Sequence, residues 1–445
     1  MGRIFGTDGI RGIANTELTP ELAMNLGKAC AMVVEERIGR KPRIIIGKDT
    51  RLSSDLLESA VCAGLCSAGA DAMLTGVVPT PAVAYLVTFY GADAGIMLSA
   101  SHNPFEYNGI KIFGSQGFKL TDEEENEIEE IILDNIKPYS VKKHGELGRV
   151  SCLETAVDDY VNHIKQTTSE SFENIKIAVD CANGSASVTA AKLFGSLNAK
   201  FDIINAQPDG KNINGCCGST HMEGLRKLVK SGKYDLGIAF DGDADRCLAV
   251  DENGEYVDGD KIIAIIAKMM KDEGRLKKNT TVVTVMSNIG YYKFAEENGI
   301  YAEKTKVGDR YVLENMLANG YNLGGEQSGH TIMLDYMPTG DGQLSAVQLL
   351  TAIKKSGKPL SRLANIMKTY PQVMVNVKVN EQQKSRLECE EVKRAIQEYE
   401  QMLGSSGRIL VRASGTEPLV RVMAEGEKIE QIEEITNKIA DMFRQ

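Results

Sequence analysis

Apolar positions in the first third of the chain follow two rhythms in turn. Arg43-Ile44-Ile45-Ile46 is a short closed apolar run, which predicts a buried strand. From Ser53 to Ala68 the apolar residues Leu56, Leu57, Ala60, Val61, Gly64 and Leu65 recur at the spacing of one helix face. Asp71 to Val78 predicts a second strand. Pro79-Thr80-Pro81 breaks the chain and opens another helix, and Gly95-Ile96-Met97-Leu98 predicts a third strand. Strands alternating with helices imply an α/β layered domain with a mainly parallel sheet. Thr121-Asp122-Glu123-Glu124 has the form of a capping box, so a very acidic helix should start there and run to about Asn135. Lys137 to Arg149 is a polar connector.

The pattern restarts twice. Ile175 to Val179 and Leu236 to Phe240 are predicted strands, set around helices at Gly184 to Phe194 and Met222 to Ser231. Leu248 to Tyr256 has the look of a hairpin closed by the Asn253-Gly254 turn. Lys261 to Lys271 is predicted helical, Thr281 to Met286 a strand and Ile289 to Asn298 a helix. The order then changes: strand Val373 to Val379, helix Gln382 to Met402, strands Arg408 to Arg412 and Leu419 to Ala424, helix Ile429 to Phe443. That order suggests a smaller α+β domain. Asp and Arg fall together at Asp49/Arg51, Asp245/Arg246 and Asp309/Arg310, a faint sign of repeated domains.

Composition narrows the partners. A chain of 445 residues exceeds what one core supports, so several domains are expected. The formal charge of -10 argues against a nucleic-acid polymer or an anionic membrane, though not against a small anion held by a few donors. No stretch has signal-peptide or membrane-span character, so a cytoplasmic protein is expected. The nine cysteines show no Cys-x-x-Cys pair of the kind that holds zinc, and are taken as reduced thiols.

Five segments could carry chemistry. Asp241-Gly242-Asp243-Ala244-Asp245-Arg246 follows an apolar strand, where ligands bind in α/β sheets. Alternate acids separated by small residues can fold around one hard cation such as Mg²⁺, or form a solvated acidic turn. Ser99-Ala100-Ser101-His102-Asn103-Pro104 also ends a strand, with Lys111 in Asn108-Gly109-Ile110-Lys111 downstream to handle protons in phosphoryl transfer. Ser101 and His102 are not expected to form a dyad, since neighbouring side chains rarely face one another. Gly324-Gly325-Glu326-Gln327-Ser328-Gly329-His330 offers groups that bind sugar hydroxyls or an amine. Arg412-Ala413-Ser414-Gly415-Thr416-Glu417-Pro418 has the donor density of a phosphate site. Phe5 to Gly12 is glycine-rich without the spacing of a P-loop or a dinucleotide fingerprint.

Taken in order, these segments resemble the α-D-phosphohexomutase superfamily, and the resemblance spans essentially the whole chain. Within it, Phe5 to Gly12, Ser99 to Pro104 and Gly325 to His330 are most similar to the amino-sugar branch. The resemblance implies three related α/β/α domains and a C-terminal α+β domain of TATA-binding-protein type around a central cleft. Boundaries are expected at 1–150, 151–252, 253–368 and 369–445.

It further implies interconversion of glucosamine 6-phosphate and glucosamine 1-phosphate, on the route to UDP-N-acetylglucosamine and peptidoglycan, through a glucosamine 1,6-bisphosphate that also serves as activator. Ser101 would be the phosphoserine. Asp241, Asp243 and Asp245 would bind one Mg²⁺ with the Ser101 phosphate. Lys111, Arg11, Arg246 and His102 would surround the transferring group, and Glu326, Ser328 and His330 would touch the sugar. Arg412, Ser414, Gly415 and Thr416 would hold the other phosphate. A homodimer is suggested by the same resemblance. The alternatives are an enzyme of mannose and glucose phosphates in the same superfamily, and a phosphosugar-binding regulator without catalysis.

Overall fold

The computed structural model describes residues 2–6, 8–414 and 418–444, with the Glu381 side chain outside the description. Gly415 and Thr416 of the expected phosphate loop, and Thr7 of the first glycine-rich segment, lie outside the described residues. The chain forms two compact units. One comprises 1–285 with 301–365, the other 286–300 with 366–445.

The first unit holds three sheets. The first contains β1 (Ile10–Ile13), β2 (Arg43–Lys48), β3 (Asp71–Val77), β4 (Ala94–Leu98), β5 (Tyr107–Gly114) and β6 (Val150–Cys152), in the order β1-β5-β4-β2-β3-β6. The mainly parallel sheet expected from the alternation is present in β4, β2, β3 and β6, while β5 runs back antiparallel to β4 and pairs β1. The second contains β7 (Lys176–Asp180), β8 (Lys200–Ile204), β9 (Leu236–Phe240), β10 (Cys247–Asp251) and β11 (Tyr256–Val257), ordered β11-β10-β9-β7-β8. The third contains β12 (Thr280–Thr284), β13 (Tyr301–Thr305), β14 (Leu323–Gly325) and β15 (Thr331–Met333), ordered β13-β12-β14-β15.

The second unit holds β16 (Gln372–Lys378), β17 (Arg408–Ala413) and β18 (Leu419–Glu425), antiparallel in the order β16-β18-β17, with the helix Ile429–Arg444 among the elements that cover them. Val377, Val420, Val422, Ile432, Ile439 and Phe443 form its core.

Four hairpins of one kind recur. In each sheet a strand is followed by an antiparallel return strand: β4 by β5, β9 by β10, β14 by β15 and β17 by β18. Each connection is one of the segments singled out above for its chemistry. The sheets therefore present the Ser101, Asp241, Glu326 and Arg412 segments on the same structural device.

Two expected helices are broken. Gly184 to Phe194 becomes a 3₁₀ turn, Ser185–Val188, followed by the helix Ala190–Ser196. The break is imposed by the Asp loop: Ser185 N donates to Gly242 O at 2.8 Å, and a Cβ on Gly184 would stand 2.2 Å from that oxygen. Gln382 to Met402 becomes Glu381–Lys384, a 3₁₀ turn Ser385–Glu388 and the helix Glu390–Leu403, separated by extended backbone at Cys389. The break lets Leu387 pack on the same core as Val392 and Ile396. No helix among the described residues is long and apolar enough to cross a membrane.

The acidic helix appears as Asp122–Leu133 with both capping-box hydrogen bonds made by Thr121 and Glu124. It has a second use. Glu129, 2% exposed, accepts the backbone N–H groups of Arg3, Ile4 and Phe5, each at 2.7 Å. This pins the entry segment that precedes Asp8 and Arg11. Burial opposes ionisation of Glu129, but the three N–H donors and Arg3 outweigh it and hold the carboxyl below its ordinary value. A carboxyl depressed in the folded state stabilises above its unfolded pKa and loses that contribution as pH falls through the folded value. Glu129→Ala should therefore cost about 2–3 kcal/mol in denaturant unfolding at pH 7. The difference from wild type should shrink below about pH 4. A variant as stable as wild type at pH 7 would show that Glu129 does not anchor the segment.

Candidate active site

Ser101 lies in the turn between β4 and β5, 1% exposed, with φ of +51°. A non-glycine residue in that left-handed region carries about 1–3 kcal/mol of backbone strain. The conformation has a product. Ser101 Oγ donates to Asp241 Oδ2 at 2.7 Å, across from the neighbouring sheet. It also faces His102 Nδ1 at 3.2 Å, contrary to the expectation that these neighbours would not meet. The left-handed turn is what brings two adjacent side chains to one side. Burial, then the charges of Arg246 and Arg11, push the His102 imidazole down to about 4, so it is neutral at pH 7.

The Asp loop fills the turn between β9 and β10. Asp241, Asp243 and Asp245 are buried, with carboxylate oxygens within 4.8 Å of one another. Ala244, at φ +56°, lets the backbone double back so that three acids face one point. Thr80, at the start of the helix Thr80–Tyr90, donates its hydroxyl to Asp243 Oδ2 at 2.6 Å and its N–H to the Asp243 carbonyl at 2.9 Å. Burial, then repulsion from Asp245 and Asp243, pushes the Asp241 carboxyl well above the ordinary carboxylate range.

Asp243 Oδ1 and Asp245 Oδ1 are buried without a hydrogen-bond partner. Arg11 Nε and Arg246 Nε are likewise buried donors without a hydrogen bond. Orphaned acceptors beside orphaned donors are rare in a finished interior. They fit a site whose ligands are a cation and an anion. The all-oxygen donor set suits a hard divalent cation such as Mg²⁺.

Lys111 sits in β5, 1% exposed, where register places it opposite Met97. Its Nζ is 3.0 Å from Asp243 and from Asp8 and 3.6 Å from Asp245. Burial alone would lower the ammonium, yet Asp243, Asp8 and Asp245 outweigh it and raise it above its ordinary value. Lys111 is thus a buried cation held by three carboxylates.

From Lys111 a ring of alternating charge closes on itself. Asp8 binds Lys119, Lys119 binds Asp309 at 2.7 Å, and His330 stands between Asp309 at 3.7 Å and Asp245 at 3.6 Å. Burial works against protonation of His330, but its contact with Asp245 and the charges of Asp245 and Asp309 raise it to about 9. Arg11 pairs with Asp8, and Arg246 leans on Asp245 at 3.9 Å.

The structure thus brings Ser101, His102, Lys111, Arg11, Arg246, the three aspartates and His330 into one charged neighbourhood. Glu326 is tied down by Gly308 N at 3.0 Å, and Ser328 is exposed at the tip of its loop. Asp8, Lys119, Asp309 and Thr80 were missed. Asp309 gave a signal in the Asp-Arg pairs, and Asp8 stood inside a noted segment. Nothing local marked Lys119 or Thr80.

In the second unit, Arg412 is the next-to-last residue of β17, directly opposite Arg421 of β18. Burial, then the Arg421 charge, lowers the Arg412 guanidinium. Ser414 beside it is buried, with its N–H on Leu419 O at 2.8 Å.

Four family models match consecutive stretches: phosphoglucomutase/phosphomannomutase alpha/beta/alpha domain I over residues 2–138, domain II over 158–254, domain III over 258–370 and the C-terminal domain over 374–442. The chain belongs to the phosphoglucomutase/phosphomannomutase family. Relatives named phosphoglucosamine mutase include one from Caldicellulosiruptor saccharolyticus, 54% identical, covering 100% of this chain and 99% of the relative. One from Clostridium kluyveri is 53% identical with the same coverage. Among solved structures, a phosphoglucomutase/phosphomannomutase family protein from Burkholderia thailandensis superposes with a TM-score of 0.82 at 22% identity, covering 99% of this chain and 97% of that one. Aspergillus fumigatus N-acetylphosphoglucosamine mutase, crystallised with GlcNAc-6P and magnesium, superposes with a TM-score of 0.69 at 17% identity, covering 99% and 95%. These two structural likenesses concern the fold.

For this member of the family the cation site is directly testable. A ligand that binds only the folded state stabilises it by about 2.7 kcal/mol at a hundred times its Kd. Mg²⁺ should raise the Tm of the protein, and Asp243→Asn should abolish that rise while remaining folded. A variant whose Tm responds to Mg²⁺ as wild type does would remove the cluster from consideration as a metal site.

Proposed function

We propose that the chain interconverts glucosamine 6-phosphate and glucosamine 1-phosphate, with Ser101 as the carrier of the transferred phosphoryl group. The observation that carries this reading is the Ser101 hydroxyl, buried 2.7 Å from Asp241 at the rim of the carboxylate cage. A nucleophile with no role would not be held in strained backbone against an acid cluster. The sugar class rests on the relatives named phosphoglucosamine mutase, which match from end to end at above half identity.

Phosphoryl transfer depends chiefly on positioning and on neutralising charge. A phosphate on Ser101 would bring about -1.5 to -2 charge to the three aspartates. Asp241, Asp243 and Asp245 would hold a Mg²⁺ beside that phosphate, and the cation would supply the neutralisation. Lys111, Arg11 and Arg246 add positive charge at the cage. His102, neutral, orients Oγ without adding charge.

In the forward half-reaction the Oγ–P bond of Ser101 breaks as the free hydroxyl oxygen of the sugar phosphate bonds to phosphorus. The hydroxyl proton ends on Ser101 Oγ. The product, glucosamine 1,6-bisphosphate, then returns its other phosphoryl group to Ser101 in the mirror-image step, so nothing is consumed. Free bisphosphate acts as an activator by reloading Ser101. Glu326, Ser328 and His330 bind the sugar ring. Arg412, Ser414, Gly415 and Thr416 grip the phosphate that is not reacting, which binds from either end of the sugar.

A coupled assay run side by side with glucosamine, mannose and glucose 1-phosphates should give the highest kcat/KM for the amino sugar. Equal efficiency with mannose 1-phosphate would move the assignment to the hexose-phosphate branch. Ser101→Ala should keep its fold and lose at least about 10³-fold in kcat even with bisphosphate added, since it removes the group that forms the bond. Normal turnover by that variant would end the phosphoserine scheme.

A further inference from the structure

We infer that Arg51, oriented by Asp49, forms with Asn214 a clamp that holds Ser101 in its productive backbone conformation, a positioning role that rests on the phosphoserine reading above. Arg51 is 2% exposed and Asp49 1%. The guanidinium has five N–H donors, and all five have acceptors in one small volume. Nε donates to Asp49 Oδ2 at 2.8 Å. Nη1 donates to Tyr107 O at 3.1 Å and to Pro104 O. Nη2 donates to Ser101 O and Asn103 O, both at 2.9 Å. An arginine so placed has nothing left for a phosphate. It reads the shape of one turn.

Asp49 completes the device from the other side of the same peptide. It accepts the Ser99 hydroxyl at 2.7 Å, and Ser99 Oγ in turn accepts the Ser101 N–H at 3.0 Å. It also takes Arg51 N and Ser54 Oγ, both at 3.0 Å. From the second sheet, Asn214 Nδ2 donates to Ser101 O at 2.9 Å and Asn103 O at 3.2 Å, the two carbonyls already held by Arg51 Nη2. Gly242 lies close beneath, where a Cβ would come within 2.6 Å of Ser101 O. The C=O of Ser101 is therefore fixed from outside the turn, and its N–H by Ser99, which Asp49 in turn holds. A residue at φ +51° relaxes toward ordinary backbone unless its surroundings hold it. Relaxation would swing Oγ away from Asp241 and the cage. Neither Arg51 nor Asn214 is a catalytic residue, since neither donates to the Ser101 hydroxyl.

The test uses the full-length protein with Arg51→Lys, which keeps the charge but not the planar fork, and Asn214→Asp, which keeps the shape but turns an acceptor toward two carbonyls. Asn214→Ala serves as the milder partner. In each folded variant kcat should fall about 10- to 100-fold, the scale of an ångström misplacement. KM for the sugar phosphate and the Mg²⁺ concentration for half-maximal rate should stay within about twofold, because uniform binding is untouched. Wild-type kcat in folded Asn214→Asp and Asn214→Ala would overturn the clamp, as would a raised KM with kcat intact. Should Arg51→Lys fail to fold, the two Asn214 variants decide alone. Wild-type protein mapped in parallel by intact mass separates the two claims. No phosphate on its Ser101 sinks the phosphoserine reading, whereas phosphorylated wild type with undiminished variants sinks only the clamp.

Discussion

Three carboxylates cannot share a buried point unless positive charge is interleaved with them. Asp241, Asp243 and Asp245 meet that condition through Lys111 on one side and a ring running through Asp8, Lys119, Asp309 and His330 on the other. The ring draws on all three sheets of the first unit. Lys111 and Lys119 come with the first, the aspartates with the second, Asp309 and His330 with the third. A cage that needs counter-charges from three sheets is also a reason for those sheets to be held in register with one another. Buried ion networks of this kind often stabilise no more than apolar packing would. Their retention here is explained by the orphaned acceptors and donors at the centre, which a cation and a phosphate would satisfy.

The same constraint explains the architecture around it. Parallel strands deliver their C-terminal ends to one edge of a sheet, but a helix must follow before the next strand. An antiparallel return strand instead keeps the connection short and rigid. β5, β10, β15 and β18 each do this, so four of the five chemistry-bearing segments connect strands that are paired with one another. Rigid connections suit phosphoryl transfer, where placement matters more than covalent ingenuity. They also allow strained backbone, as at Ser101 and Ala244, to be held by hydrogen bonds from neighbouring elements.

Much of this was legible in the chain itself. The closed apolar runs at Arg43, Gly95 and Leu236 are strands because both faces of those strands are buried, which leaves no alternation to confuse with surface structure. The capping box at Thr121 was readable because its hydrogen bonds are local. The strands β14 and β15 were not, being three residues each and defined only by their partners. The helices at Gly184 and Gln382 broke for tertiary reasons: one must fit beneath Gly242, the other must turn Leu387 inward. In the site, alternate aspartates after a strand pointed to a cation on chemistry alone. Lys119 and Thr80 did not stand out, because an isolated charge or hydroxyl acquires its meaning from residues more than a hundred positions away, and Arg51 showed only as one of the recurring Asp-Arg pairs.

The central claim is that a phosphate on Ser101 and a divalent cation on the three aspartates occupy one site. Phosphorus NMR of the phosphorylated protein, titrated with Mn²⁺ in place of Mg²⁺, tests that contact without relying on turnover. A single phosphoserine resonance that broadens away at one equivalent of Mn²⁺ is the expected result. A phosphoserine line that stays sharp while Mn²⁺ binds the protein stoichiometrically would contradict it.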